Sequence, residues 1–193
     1  MGLKSIVWLQ GGFELTEERI PTVIQDLQVR KIPTLALTAL GTGKYGKIDD
    51  FVAYRINQLS QFQMDFSQAV SQKEIVFDHL KPVRGSYPEY RKGILFTNWF
   101  ENSKGVVLAA FLEKIGRRPQ KIIFFDDSMR NLLSVEKEMK KAGIPVELIH
   151  YQAERLMYDT LDKGVAGQQI THLLRHRKWL DDEVLRQMQE TKS

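Results

Sequence analysis

Between residues 104 and 151 the chain runs twice through the same alternation, a helix-period segment closed by glycine and then a short apolar run. GVVLAAFLEKIG stops at Gly116 and leads to KIIFFD, and MRNLLSVEKEMKKAG stops at Gly143 and leads to PVELIHY. A glycine just past the last periodic residue is where a helix turns into the left-handed region and ends. Strands joined through helices of this length run parallel, because a crossover returns the chain to the same end of the sheet, and the crossover is right-handed. Parallel strands need cover on both faces. The pattern therefore predicts an α/β fold with a doubly wound, mostly parallel sheet.

The preceding residues extend that expectation. IVWLQ (6–10) reads as a short strand ended by Gly11 and Gly12, and the next segment places Ile20, Val23, Ile24 and Leu27 at helical spacing. Pro21 falls in the first turn of that helix, where its missing N–H costs little. TLALT (34–38) reads as a second strand running into the loop GTGKYG, and a helix is predicted over 48–59 with Ile48, Val52, Ile56 and Leu59 facing the core. From 62 to 100 the pattern is irregular. IVF (75–77) and GILFTNW (93–99) look extended between Pro82, Gly85, Pro88 and Gly93, which predicts a small irregular or β insert. Residues 151–193 read as a C-terminal tail of two or three helices, with LDDEVLRQMQ opening after acidic capping residues. No repeat or linker interrupts the 193 residues, so one domain over 1–193 is expected.

Composition narrows the chemistry. The absence of cysteine excludes disulfides, thiolate nucleophiles and cysteine-ligated zinc, leaving oxygen donors, which suit magnesium. The net charge of +4 is spread along the chain apart from a cluster at His172 to Lys178, so no nucleic-acid partner is expected. No run approaches the roughly 18 apolar residues of a membrane helix, and MGLKSIVWLQGGF lacks the layout of a signal peptide. A cytoplasmic chain without a membrane partner is the expectation.

Open α/β sheets bind ligands beyond the carboxyl ends of their strands. Three polar features fall there: Thr38 ending TLALT, Lys104 opening a helix, and the adjacent carboxylates Asp126 and Asp127 ending KIIFFD. A phosphoryl site needs a hydroxyl or amide for a phosphate oxygen, a cation against developing charge, and carboxylates to hold magnesium. Singly, these residues are an ordinary strand end, a solvated lysine and a helix cap; in combination they point to magnesium-dependent phosphate chemistry. A second pattern competes. Gly41, Gly46 and Lys47 in GTGKYGK match the phosphate loop of nucleotide-binding proteins, but Ile48 stands where a magnesium-binding hydroxyl should follow. Asp78 in EIVFDHLKP reads as a loop carboxylate. His172 and His176 have metal-gripping spacing, yet no HExxH glutamate and basic neighbours, which fits a solvated helix face. Trp8, Trp99 and Trp179 sit beside apolar runs and are expected to pack.

The strand-end hydroxyl, the helix lysine and the later acidic pair resemble the haloacid dehalogenase (HAD) superfamily. More narrowly, the stretch from KGILFTNWF to PVELIHY is similar to one bacterial domain-of-unknown-function family within it, and the similarity reaches QQITHLLRHRKWLDDEV and VIQDLQVRKIPTLALTA. By that resemblance Thr38 binds phosphate, Lys104 stabilises the nucleophile and phosphoryl group, Asp126 and Asp127 hold magnesium, and Asn131 supports the loop. The substrate would be a small phosphorylated molecule. The superfamily's first motif, DxDxT after an apolar strand, supplies the nucleophilic aspartate, and no such pattern occurs here. Either the chain is a shortened homologue, or IVWLQGGF is a degenerate version with Gln10 at the nucleophile position. A neutral amide cannot form an acyl phosphate. In the second case IVWLQ lies in the sheet between TLALT and KIIFFD with Gln10 facing Asp126. The resulting expectation is a catalytically impaired phosphohydrolase homologue. A non-catalytic interaction or effector module on the same fold is the alternative, beside nucleotide binding by the glycine-rich loop.

Overall fold

The computed structural model describes residues 2–153 and 162–190. In chain order the elements are α1 (Leu3–Gln10), α2 (Ile20–Val29), β1 (Ala36–Thr38), α3 (Phe51–Gln61), β2 (Glu74–Val76), β3 (Glu89–Arg91), β4 (Ile94–Phe96), a 3-10 turn (Trp99–Glu101), α4 (Lys104–Lys114), β5 (Ile122–Asp126), α5 (Met129–Ala142), β6 (Val146–His150), α6 (Lys163–His176) and α7 (Asp182–Glu190). They gather into two units, one of Glu17–Gly43 with Asp50–Gln152, the other of Met1–Thr16, Lys44–Asp49 and Ala153–Ser193.

The larger unit is mixed α/β. Its first sheet has the order β1-β4-β3-β2, with β1 parallel to β4 and β3 antiparallel to both its neighbours. Its second sheet is the parallel pair β5-β6, in register from Ile122 opposite Val146 to Asp126 opposite His150. The β3–β4 hairpin turns through Lys92 (φ 48) and Gly93 (φ 80), the positive-φ pair that a tight hairpin requires. A side chain at Gly93 would also drive into the Phe66 carbonyl.

Two clusters hold this unit together. Leu95 faces a core of Phe77, Tyr90, Val107, Phe111, Val135 and Met139, while its neighbours Ile94 and Phe96 face a second core with Val52, Leu59 and Phe66. β4 is thus covered on both faces, as parallel strands require. Ile122 and Phe124 of β5, with Val146 and Leu148 of β6, pack on the first core, but Ile123 and Phe125 on the opposite face are 54% and 59% exposed. Helices α4 and α5 are in close contact because Gly105 lets them meet at the backbone; a Cβ there would lie 2.0 Å from the Ser134 carbonyl oxygen.

In the smaller unit α1 buries Ser5 and Ile6 and exposes Leu9. The Ser5 hydroxyl donates to the Gly2 carbonyl at 2.8 Å and accepts the Lys47 N–H at 3.1 Å. Val165, Leu180 and Leu185 pack together across α6 and α7, and buried Gln169 donates to the Leu180 carbonyl and to Asp182.

Several expectations need correction. IVWLQ is a helix within α1, not a strand, and therefore does not lie in the sheet between TLALT and KIIFFD. A five-residue apolar run carries no period that separates helix from strand, and here the one-sided burial of Ser5 and Ile6 decides it. The single doubly wound parallel sheet is replaced by two sheets, the first mostly antiparallel. The segment 62–100, expected as an insert, instead supplies three strands of that sheet, including the parallel partner of β1. The helix expected from Ile48 starts at Phe51, because Ile48 is held in a bridge with Tyr45 and Asp50 caps Ala53 at 2.9 Å. Helices α4 and α5 stop at Gly116 and Gly143 as expected, and β5 and β6 follow them. Part of the expected C-terminal tail, 154–161 and 191–193, lies outside the described residues.

Candidate functional site

Strand periodicity places Asp126 on the same face as Ile122 and Phe124, the face that packs on α4 and α5. At the end of β5 Asp126 is only 6% exposed as a residue, and a buried charge requires partners. Lys104, the first residue of α4, supplies the main one, its Nζ lying 2.6 Å from Oδ2. Asn131 Nδ2 and the Ser128 N–H each donate to Oδ1 at 2.9 Å. Burial alone would raise the Asp126 pKa; the Lys104 ammonium, reinforced by Asn131 and Ser128, outweighs it and holds the carboxyl below its ordinary value. Lys104 also sits 5.9 Å from the centre of the Phe124 ring.

Beside this network is a pocket of about 90 Å³ whose lining includes Trp99, Phe100, Lys104, Arg130, Asn131 and Ser134. It opens where the first turns of α4 and α5 meet the ends of β1 and β4. The Arg130 guanidinium lies over the Phe100 ring at 4.8 Å. Lys104 and Arg130 line the pocket and Asp126 pairs with Lys104, so these three groups together carry one positive charge.

The corner formed by Asn98 and the pocket-lining Trp99 is strained. Both residues have positive φ, 56 and 68, which is uncommon for asparagine and an outlier for tryptophan. Fully buried Asn98 holds the corner, accepting the Thr42 N–H at 3.1 Å and donating to the Ser86 carbonyl at 2.6 Å. Strain of this kind, over-determined by its surroundings, concentrates at ligand sites.

Lys104, Asp126 and Asn131 are therefore brought into direct contact. Thr38 is half-buried at the end of β1, where its hydroxyl accepts the Leu40 N–H at 3.3 Å; the next residue, Ala39, lines the pocket, and Thr38 does not. Asp127 points to solvent, with its carbonyl accepting from His150 Nε2 at 3.0 Å. Gln10 belongs to the smaller unit, where its side-chain oxygen accepts the Trp179 N–H at 3.0 Å. Asp78 is an exposed turn residue, and the His172 and His176 rings lie tilted against each other with centroids 4.4 Å apart. Trp8 packs on Phe13, and Trp99 on Phe51. Arg130 and the Asn98–Trp99 corner were not anticipated. Their available signals were an arginine in a helix first turn, where the dipole disfavours it, and an asparagine ending an apolar strand.

Magnesium does not fit the residues as they stand. Both oxygens of Asp126 are taken by ammonium and amide donors, Asp127 stands apart, and among the described residues no three His, Asp or Glu side chains cluster as a metal site would require. The glycine-rich loop is engaged in a similar way. The Thr42 N–H goes to Asn98, Tyr45 and Ile48 bond to each other, and the Lys47 N–H goes to Ser5. The N-terminus of α3 is capped by Asp50, a carboxylate where a phosphate would have to sit.

The family described as "Protein of unknown function (DUF2608)" matches residues 3–186. Among similar proteins, one from Rickettsia felis is 28% identical over 140 residues, covering 72% of this chain and 47% of its own length. One from Rickettsia prowazekii is 28% identical over 157 residues, covering 79% of this chain and 52% of its own. A second Rickettsia prowazekii protein is 23% identical over 164 residues, 83% of this chain and 58% of its own. All three carry the description uncharacterized protein. The chain spans about half the length of the curated relatives it matches. No solved structure matches it. No described helix is long and apolar enough to cross a membrane.

Proposed function

This chain belongs to the DUF2608 family of proteins of unknown function, and we propose that it binds the phosphoryl group of a small molecule in the Lys104–Arg130 pocket without turning it over. The observation that carries this reading is the buried Asp126 carboxylate fixing the Lys104 ammonium beside a second cation, Arg130, where strand ends meet the first turns of α4 and α5. Lys104 gives one of its three N–H donors to Asp126 and keeps the others for a ligand, and Arg130 offers a planar fork. The pocket holds about three waters' volume, which suits one phosphoryl group with the rest of the molecule outside. The resemblance to the HAD superfamily supports the same chemistry, with Lys104 in the phosphate-binding role.

Turnover finds no support in the side chains present. Asp126 is committed to its ion pair, and the Ser134 hydroxyl donates to the Asn131 carbonyl at 2.9 Å, so neither is a free nucleophile. Calorimetric titration with inorganic phosphate and with an aryl phosphate tests the reading. Saturable binding should weaken about tenfold in Lys104→Ala and in Arg130→Ala, the worth of one charge-assisted hydrogen bond. Binding that is absent at millimolar phosphate, or indifferent to both substitutions, removes it. Aryl phosphate hydrolysis abolished by Asp126→Asn would show that the chain is an active phosphatase.

A further inference from the structure

Each sheet of the larger unit ends on a strand with a bare edge. Among the described residues β1 pairs only with β4, and β5 only with β6. Successive residues of a strand turn their backbone groups to opposite edges. The Ala36 N–H goes to Gly93 and the Thr38 carbonyl accepts from Thr97, so Leu37 presents its N–H and C=O away from β4. The Ile122 N–H goes to Pro145 and the Asp126 carbonyl accepts from Tyr151, so Ile123 and Phe125 present theirs away from β6.

The two bare edges belong to one architecture. Leu35 and Leu37 in and beside β1, and Ile122 and Phe124 of β5, all pack on the same buried cluster, to which α4 and α5 contribute Val107, Leu108, Phe111 and Val135. Both strands run toward the same place. Ala39, after β1, lines the pocket that Lys104 lines, and Asp126, ending β5, binds Lys104. Two strands that end near Lys104, pack on one core and each leave an edge unpaired among the described residues match the borders of a parallel sheet from which a strand is missing. The exposed Ile123 and Phe125 side chains add an uncovered apolar strip on the outer face of β5, of the kind that marks an interaction site.

We propose that the gap between β1 and β5 is a docking slot for one extended apolar strand, parallel to both, supplied by the part of the family's longer chains outside the region matched here. The occupant must hydrogen-bond on both sides, which requires a strand with two free edges. Every described strand of this chain already has a partner on at least one side, so a second copy has no such strand to offer. A strand flanked on both sides in a parallel sheet must also be apolar on both faces. The relatives are about twice as long as the region they share with this chain, which leaves ample polypeptide to provide one. The slot rests on strand pairing and core packing and does not depend on phosphate binding.

Hydrogen exchange followed by NMR tests the slot directly, with overlapping synthetic peptides that cover the unmatched part of the Rickettsia felis relative as probes. In the peptide-free protein the Leu37, Ile123 and Phe125 amides should exchange fast. One apolar peptide should bind saturably and slow all three together by at least about tenfold, and the same peptide N-methylated at alternate residues should not. The slot is overturned if those amides are already slow in the free chain, if a peptide protects only one edge, if protection follows protein concentration through self-association, or if no peptide protects either edge.

Discussion

At the scale of single residues, Asp126 and Lys104 form a unit that neither leaves without cost. Their side chains are 2% and 11% exposed, and removing one partner of a buried pair strands the other charge. Lys104→Ala should cost about 3–5 kcal/mol in urea denaturation, and adding Asp126→Asn should recover part of that loss by removing the stranded carboxylate. Asp127→Asn, in an exposed side chain, should change stability by less than about 0.5 kcal/mol; equal losses at the two aspartates would refute this division of labour. The pH dependence follows from the sign of the shift. Although burial opposes it, the Lys104 pair holds the native Asp126 pKa below the unfolded value near 3.8. The contribution is therefore present above pH ~4 and is lost as pH falls through the native value. Wild type should lose more stability than Asp126→Asn between pH 5 and 3, as followed by thermal melts.

At the scale of elements, α4, β5, α5 and β6 were legible because their periods, glycine stops and lengths agree with one another. That agreement also made the Lys104–Asp126 convergence foreseeable, since a lysine opening one helix and a carboxylate ending the next strand share one end of a crossover, whereas Asn131 came only with the family resemblance. Contacts that depend on backbone approach were not legible. Gly105 stands inside a helix first turn with no local reason, and only the Ser134 carbonyl beside it shows why. Gly105→Ala should cost about 1–3 kcal/mol by overpacking, visible as a lowered denaturation midpoint with an unchanged slope. Removing the α3 cap is a milder change. Asp50→Ala deletes the bond to Ala53 and the 2.6 Å pair with Arg91 and should cost about 1–2 kcal/mol. The Asn98–Trp99 corner escaped the sequence because GILFTNW reads as extended to its end; its left-handed turn is imposed by contacts from Thr42 and Ser86, remote along the chain.

At the scale of the molecule, the two faces of the β5–β6 sheet make different predictions. Phe77, fully buried in the main core, should cost about 3–5 kcal/mol as Phe77→Ala, whereas Phe125→Ser should fall within about 0.5 kcal/mol because that ring is already 59% exposed. A large loss at Phe125 would mean that its face is covered in solution. The chain by itself determined the alternation of helices and strands from Lys104 onward, the parallel β5–β6 pair, and the meeting of a lysine with a strand-end carboxylate. These follow from local periodicity and from the stereochemistry of crossovers, which short windows of sequence contain. Tertiary structure alone decided that IVWLQ is helical, that residues 74–96 join β1 instead of forming an insert, that Arg130 and a strained corner complete the pocket, and that β1 and β5 each keep a free edge. A five-residue apolar run, a three-residue strand and a strand edge have no period of their own, so their state is set by which distant surface buries them.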